Sequence, residues 1–137
     1  MIHRIMKDIK AVFGDNLVSL VLFGSYAAGK QKDASDIDML VIADNLPLPR
    51  KERLSIILSI TRRYLSKGKT VSLVLRSRDE IRNGFEYYNP LLLSISEKNK
   101  LLYDRGNYFS ALLKDIRKKV AQREIQKFSD FSWRIAV

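Results

Sequence analysis

Apolar residues along the chain switch between helical and strand spacing, and this pattern predicts the order of the elements. Apolar side chains recur every three or four residues from Ile2 to Phe13, which predicts an amphipathic helix ended by Gly14. The short, β-branched apolar runs at 17–23 and 37–43 predict two buried strands. The chain therefore opens with a helix and two strands.

The middle of the chain repeats this alternation. Prolines at 47 and 49 precede a predicted helix at about 50–66, and Gly68 lies just past its end. The run at 70–75 predicts a third strand. The residues expected on the apolar face of the helix are Leu54, Ile57, Leu58, Thr61 and Leu65.

Capping signals mark the helices that follow. Ser77 with Glu80 forms a capping box, which predicts a short helix that ends by Gly84. Pro90 is placed to open another helix, because proline is favoured at the first helical position. Residues 101–103 are apolar and predict a short edge strand.

The last part of the chain is less regular. Helical spacing from Phe109 to Val120 predicts a final amphipathic helix, and the tail at 125–137 fits either a frayed helix or a late strand. Helices that alternate with strands imply an α/β or α+β fold. With three clear strands, we expect a small mixed sheet with helices packed on it.

Length and composition narrow the class of protein. At 137 residues with 46% hydrophobic content, residues 1–137 are expected to form one domain with a real core, which includes a basic C-terminal helix and tail from about 107. No apolar run is long enough for a membrane span and the start lacks a signal-peptide core, so a cytoplasmic location is expected. The absence of cysteine excludes disulfides and thiolate metal sites. The net charge of +10 favours polyanionic partners, although a solvated basic surface is also possible.

Asp36 and Asp38 interrupt the apolar pattern at the start of the second predicted strand. Because side chains alternate along a strand, both carboxylates project from the same face. There they repel unless a cation lies between them or one is protonated. Oxygen ligands without nearby histidine or cysteine suit Mg²⁺ or Mn²⁺. Because Mg²⁺ completes its shell with substrate phosphates, the predicted ligand is a metal-bound nucleoside triphosphate.

Gly24 and Ser25 close the first strand and supply the other half of such a site. Glycine lets the backbone approach a ligand closely, and free N–H groups with the serine hydroxyl suit phosphate oxygens. Lys30 and Lys32, in the loop between the two motifs, either add charge to the site or are ordinary solvated lysines. Tyr26 directly follows Gly24 and Ser25 and is close enough in sequence to line the site.

The spacing of Gly24-Ser25 and Asp36-x-Asp38, within residues 22–42, resembles the DNA polymerase beta-like nucleotidyltransferase superfamily, and most closely its minimal (MNT) members. The resemblance continues more loosely to about residue 106. It implies transfer of a nucleoside monophosphate from a nucleoside triphosphate to a hydroxyl, with two metal ions held by three carboxylates. By position, Gly24 and Ser25 would hold the triphosphate, and Asp36 and Asp38 the metals.

One residue departs from the family pattern. The third carboxylate of the family lies on a neighbouring strand, where this chain has Ser72. Either another residue supplies the third acid, or the protein has lost efficient chemistry and keeps nucleotide or partner binding. Asp79 and Glu80 lie nearby but already have a predicted capping role.

The resemblance also implies an acceptor. Short members of the superfamily pair with helical HEPN-domain toxins and, as antitoxins, transfer AMP from ATP to a tyrosine of that partner. The contrasting hypothesis is a binding module that contacts nucleic acid through the basic C-terminal segment, and oligomerisation is possible. The basic residues of that segment are Lys114, Arg117, Lys118, Lys119, Arg123 and Lys127, with aromatic residues Phe128, Phe131 and Trp133.

Overall fold

The computed structural model of the protein describes residues 1–122, 125–129 and 132–135, with side chains described for 1–122 and Ile125. Its main sheet is formed by β1 (Leu17–Phe23), β2 (Ile37–Ala43), β3 (Val71–Arg76) and β4 (Lys100–Asp104). The sheet is mixed, and its strand order is β3-β2-β1-β4. β1 pairs antiparallel with β2 and β4, while β2 and β3 run parallel. The predicted mixed α/β fold is therefore confirmed.

Helices cover both faces of this sheet. They are α1 (Ile2–Phe13), α2 (Gly24–Ala27), α3 (Arg50–Leu65), α4 (Arg78–Glu86), α5 (Pro90–Glu97) and α6 (Tyr108–Ala121). In the described part of the chain, the long helices α1 and α3 cover one face of the sheet. Helices α4, α5 and α6 cover the opposite face. No helix in this part of the chain is long and apolar enough to cross a bilayer.

The central strands are buried on both faces, which explains their continuous apolar runs. Leu20 of β1 packs with Ile5, Ile9 and Tyr64 on the side of α1 and α3. Its neighbour Val21 points to the opposite core beside α4, α5 and α6. Because side chains alternate along the strand, β1 contributes residues to two separate hydrophobic cores.

The predicted apolar face of α3 is partly wrong. Leu54 and Leu65 are 51% and 64% exposed, and Leu58 is exposed as well, whereas Ile60 and Tyr64 are buried. In the core, the Tyr64 hydroxyl donates to the carboxylate of Asp8 on α1. Burial, followed by this partner, raises the pKa of Tyr64 to about 12. The side of α3 that carries Ile60 and Tyr64 therefore faces the core, and the side that carries Leu54 and Leu65 does not.

The predicted end of α4 at Gly84 is also wrong, because the helix continues to Glu86. Gly84 stays helical, and a Cβ built there would overlap the side chain of Leu92 on α5. The glycine therefore permits close packing of two helices rather than ending one. The capping box of Ser77 and Glu80 is confirmed, with both of its hydrogen bonds present.

The ambiguous tail forms strands rather than a helix. Backbone hydrogen bonds join β5 (Ile125–Ser129) and β6 (Ser132–Ile135) as an antiparallel hairpin. Helix α6 ends at Ala121, so the predicted basic helix does not include Lys127, which lies in β5. Arg123 and Phe131 lie outside the described residues.

Candidate active site

The two halves of the sequence motif meet where β1 ends. Phe23, the last residue of β1, pairs with Asp38 of β2 in the antiparallel register, and the single helical turn α2 begins at Gly24. Gly24, Ser25 and Asp38 line one cleft of about 340 Å³. Residues that are distant in sequence are thus brought together by strand pairing.

Gly24 is required for two structural reasons. Its φ is +71°, in the left-handed region that glycine adopts without strain. In addition, a Cβ built at this position would overlap the carboxylate of Asp38. The backbone therefore passes directly against this carboxylate, and any larger residue would displace one of them.

The carboxylate of Asp38 is in an unfavourable electrostatic environment. Burial, followed by repulsion from Asp36, raises the pKa of Asp38 above its ordinary value. Asp36 is exposed and directly precedes β2. Among the ion pairs of the described residues, none includes Asp36 or Asp38. A bound cation would relieve this repulsion, and two carboxylates suit a hard divalent ion.

The structure places Ser72 directly beside Asp38. The two residues are partners in the parallel register of β2 and β3, and Ser72 is exposed. At this position the family pattern described in the sequence analysis has its third carboxylate. In the described part of the chain, no group of three or more histidine, cysteine, aspartate or glutamate side chains is placed to hold a metal ion.

The nearby acids of α4 are engaged elsewhere. Glu80 caps α4 and accepts a hydrogen bond from Arg53 at 2.6 Å. Asp79 pairs with Arg82 at 2.7 Å. Burial raises the pKa of Glu80, but its hydrogen bonds outweigh burial and hold that pKa below the ordinary value. Glu80 therefore keeps the capping role that the sequence predicted, whereas Asp79 pairs with Arg82 instead of capping the helix.

The end of α5 forms the opposite wall of the cleft, which the sequence analysis did not anticipate. The residues that line this wall are Leu91, Ser94, Ile95, Glu97 and Lys98. No local pattern marks them, because they approach Asp38 only through the packing of α5 against the sheet. Lys30 also lines the cleft, whereas Lys32 is not among the lining residues.

Tyr26 does not line the cleft. Its ring packs against the core beside α1 and α3, and the ammonium of Lys69 lies 5.0 Å from the ring centroid. Lys69 also donates to the backbone carbonyl of Asp33 at 3.2 Å. These contacts tie α2 to the loop before β2, so Tyr26 supports the site from outside.

Comparisons with known proteins agree with this geometry. Residues 7–107 match the family described as Polymerase beta, Nucleotidyltransferase. A relative from Methanocaldococcus jannaschii that is named a protein adenylyltransferase is 34% identical over 139 residues, covering 99% of this chain and 92% of that protein.

Two solved structures share the fold. One is a toxin–antitoxin with AMP-PNP (TM-score 0.60, 19% identity, 89% of each chain). The other is a chain from the complex of an MNT antitoxin with the tri-AMPylated HEPN toxin of Shewanella oneidensis (TM-score 0.55, 17% identity, 88% of this chain and 83% of that one).

Proposed function

The chain belongs to the polymerase beta nucleotidyltransferase family, and from this premise we propose that it transfers AMP from ATP to a hydroxyl group of a protein. The observation that carries the proposal is the convergence of Gly24, Ser25 and Asp38 on one cleft. Hydrogen-bond donors suited to phosphate oxygens, at Gly24 and Ser25, thus line the same cleft as a carboxylate with a raised pKa.

In the proposed reaction, the acceptor oxygen attacks the α-phosphorus of ATP and forms a new P–O bond. The bond from that phosphorus to the bridging oxygen breaks, pyrophosphate leaves with the electron pair, and the hydroxyl proton passes to water. The backbone N–H groups at Gly24 and Ser25 and the Ser25 hydroxyl hold the phosphates. Holding the nucleotide in line with the acceptor is the main contribution of the chain.

The donor set fits a divalent ion, and Asp36 and Asp38 would hold Mg²⁺ or Mn²⁺ here. When bound, the ion supplies positive charge that stabilises the transferring phosphoryl group and the leaving pyrophosphate. The raised pKa of Asp38 supports this assignment, because it shows a carboxylate that lacks a compensating charge from the described residues.

For the acceptor, we propose a tyrosine of a HEPN-type partner, with this chain acting as the antitoxin. The relative named a protein adenylyltransferase supports a protein acceptor. The shared fold with an MNT antitoxin, in a complex whose HEPN toxin is AMPylated, supports this partner.

The test incubates the purified protein with MgCl₂, ATP labelled at the α-phosphate and a HEPN-domain protein from the same genome. We expect label and a mass increase of one AMP on the partner, and loss of both with Asp38→Asn. Replacing the modified tyrosine by phenylalanine should abolish labelling. In a parallel reaction with ATP labelled at the γ-phosphate, transfer of label would contradict the proposal, as would no transfer of either label by a protein that binds ATP.

The register of Ser72 favours a second candidate, a nucleotide-binding protein with weakened turnover. Because Ser72 pairs with Asp38 across the parallel strands, an aspartate there would add a carboxylate beside the first two. Under this alternative, Ser72→Asp raises the rate of AMP transfer, while the uncharged control Ser72→Asn does not. If the wild type transfers AMP and neither variant exceeds its rate, the natural site works with two carboxylates and the alternative is wrong.

A further inference from the structure

The cleft has acidic groups on both walls. Asp38 lies on the wall formed by β1, α2 and β2, and Glu97 lies on the α5 wall. A triphosphate carries several negative charges, so cationic side chains that line the cleft favour its binding. Among the lining residues, the basic side chains are Lys30 and Lys98.

Lys98 extends from the end of a packed helix. It follows α5 directly, and its backbone N–H donates to the carbonyl of Ser94. The adjacent Asn99 side chain donates to the carbonyl of Ile95 at 2.9 Å, which secures the end of the helix. Lys30 lies in the loop after α2, where its own backbone N–H donates to the carbonyl of Ser25 at 2.9 Å. Lys98 is therefore the lysine that approaches a ligand from the α5 wall, opposite Gly24 and Ser25.

The Lys98 ammonium is also available for a ligand. The side chain is exposed, and it is absent from the ion pairs found in residues 1–122. A lysine at a helix C-terminus commonly stabilises the helix dipole. Lys98 also lines the cleft wall opposite Gly24 and Ser25, beside the space that a nucleotide would occupy.

We propose that Lys98 binds the β- and γ-phosphates of ATP from the α5 wall, while Gly24 and Ser25 hold the nucleotide from the other wall. This assignment rests on the proposed function and adds a residue to it. The positive charge distinguishes a triphosphate from a monophosphate, since AMP has no phosphate beyond the α position. It also lies where charge accumulates on pyrophosphate as the P–O bond breaks.

The experiment measures the dissociation constants of ATP and AMP by titration calorimetry in Mg²⁺-containing buffer, using the full chain. For Lys98→Gln we expect ATP binding to weaken by about tenfold or more, as for loss of a charge-assisted contact, with AMP binding unchanged. Lys98→Arg should retain most of the affinity for ATP. The matched control is Lys100→Gln, an exposed lysine on β4 that does not line the cleft, which should bind both nucleotides as the wild type does.

The outcomes separate this inference from the proposed function. If the wild type binds ATP and Lys98→Gln binds it equally well, the Lys98 assignment is wrong and the proposed function stands. Equal weakening of ATP and AMP would also overturn it, because the lysine would then shape the cleft rather than bind the outer phosphates. If the wild type binds no ATP, both proposals fail.

Discussion

The two ends of strand β2 carry aspartates in opposite electrostatic situations. At one end, burial and the neighbouring Asp36 raise the pKa of Asp38. Just past the other end, Asp44 accepts two hydrogen bonds from Arg78, at 2.9 and 3.0 Å, and one from Arg105 at 3.0 Å. The hydrogen bonds from Arg78, together with the charges of both arginines, lower the pKa of Asp44.

A second carboxylate, at the same end of the sheet as Asp44, also has its hydrogen-bond donors supplied by the chain. Asp104, the last residue of β4, accepts hydrogen bonds from the buried Ser19 hydroxyl at 2.6 Å and from the Phe109 and Ser110 N–H groups at 2.9 Å. Burial raises the pKa of Asp104, but these hydrogen bonds outweigh burial and keep the pKa below its ordinary value.

This difference separates a structural end of the sheet from a functional one. Where the chain supplies the compensating donors itself, as for Asp44 and Asp104, the carboxylates stabilise the fold. Where it leaves like charges together, as for Asp36 and Asp38, the arrangement supports the proposed site, in which a bound ligand would supply the missing charge. The contrast predicts that substitutions at the two ends affect different properties.

The largest expected effect is on activity at the Asp38 end. Asp38→Asn should reduce AMP transfer at least about 100-fold, because it removes a proposed metal ligand. Asp44→Asn should stay within about twofold of the wild type, because Asp44 lies at the opposite end of β2 and its partners do not line the cleft. The measurement is the initial rate of labelled AMP transfer, and equal losses in both variants would break the comparison.

The next effect is on stability at the opposite end. Asp104→Ala should lower the free energy of unfolding by about 2–4 kcal/mol, since it removes the acceptor for two N–H groups in the first turn of α6 and leaves the buried Ser19 hydroxyl without its acceptor. The control Asp115→Ala removes a solvent-exposed pair with Lys119 on the same helix and should cost about 0.5 kcal/mol or less. Urea denaturation measures both values. Similar losses would show that the hydrogen bonds of Asp104 stabilise the fold no more than an exposed ion pair does.

Acid should act on the same network. The pKa values of Asp44 and Asp104 are lowered in the folded state, so their stabilisation is full above the unfolded pKa, about 4, and is lost as the pH falls through the lower folded values. We therefore expect the free energy of unfolding to decline below about pH 4, and less steeply in Asp104→Asn. An unchanged slope in that variant would contradict the assignment.

The smallest expected effect is on the free energy of unfolding, which should change in opposite directions in Asp38→Asn and Asp44→Asn. With the metal chelated, Asp38→Asn should raise the free energy of unfolding near pH 7, by less than about 1 kcal/mol, because the folded pKa is raised and ionisation opposes folding. Asp44→Asn should lower it by a similarly small amount. Thermal unfolding in the presence of EDTA tests both, and two changes of the same sign would refute the contrast.

Much of the local structure followed from sequence because the signals were local. The bounds of β1 and β2 agree with the apolar runs, and the capping box of Ser77 and Glu80 formed as predicted. Predictions failed where distant residues decided the outcome. On the buried face of α3, Tyr64 contacts Asp8 of α1, and Gly84 within α4 packs closely against Leu92 of α5.

The sequence by itself determined the chemistry of the candidate site, because Gly24-Ser25 and Asp36-x-Asp38 are recognisable from residue type and spacing. The tertiary structure decided the surroundings of that chemistry. Pairing of β1 with β2 sets Gly24 against Asp38, and β3 brings Ser72 beside the same carboxylate. Packing of α5 adds Lys98 to the opposite wall. Periodicity records which side a residue faces, whereas long-range packing determines what it meets there.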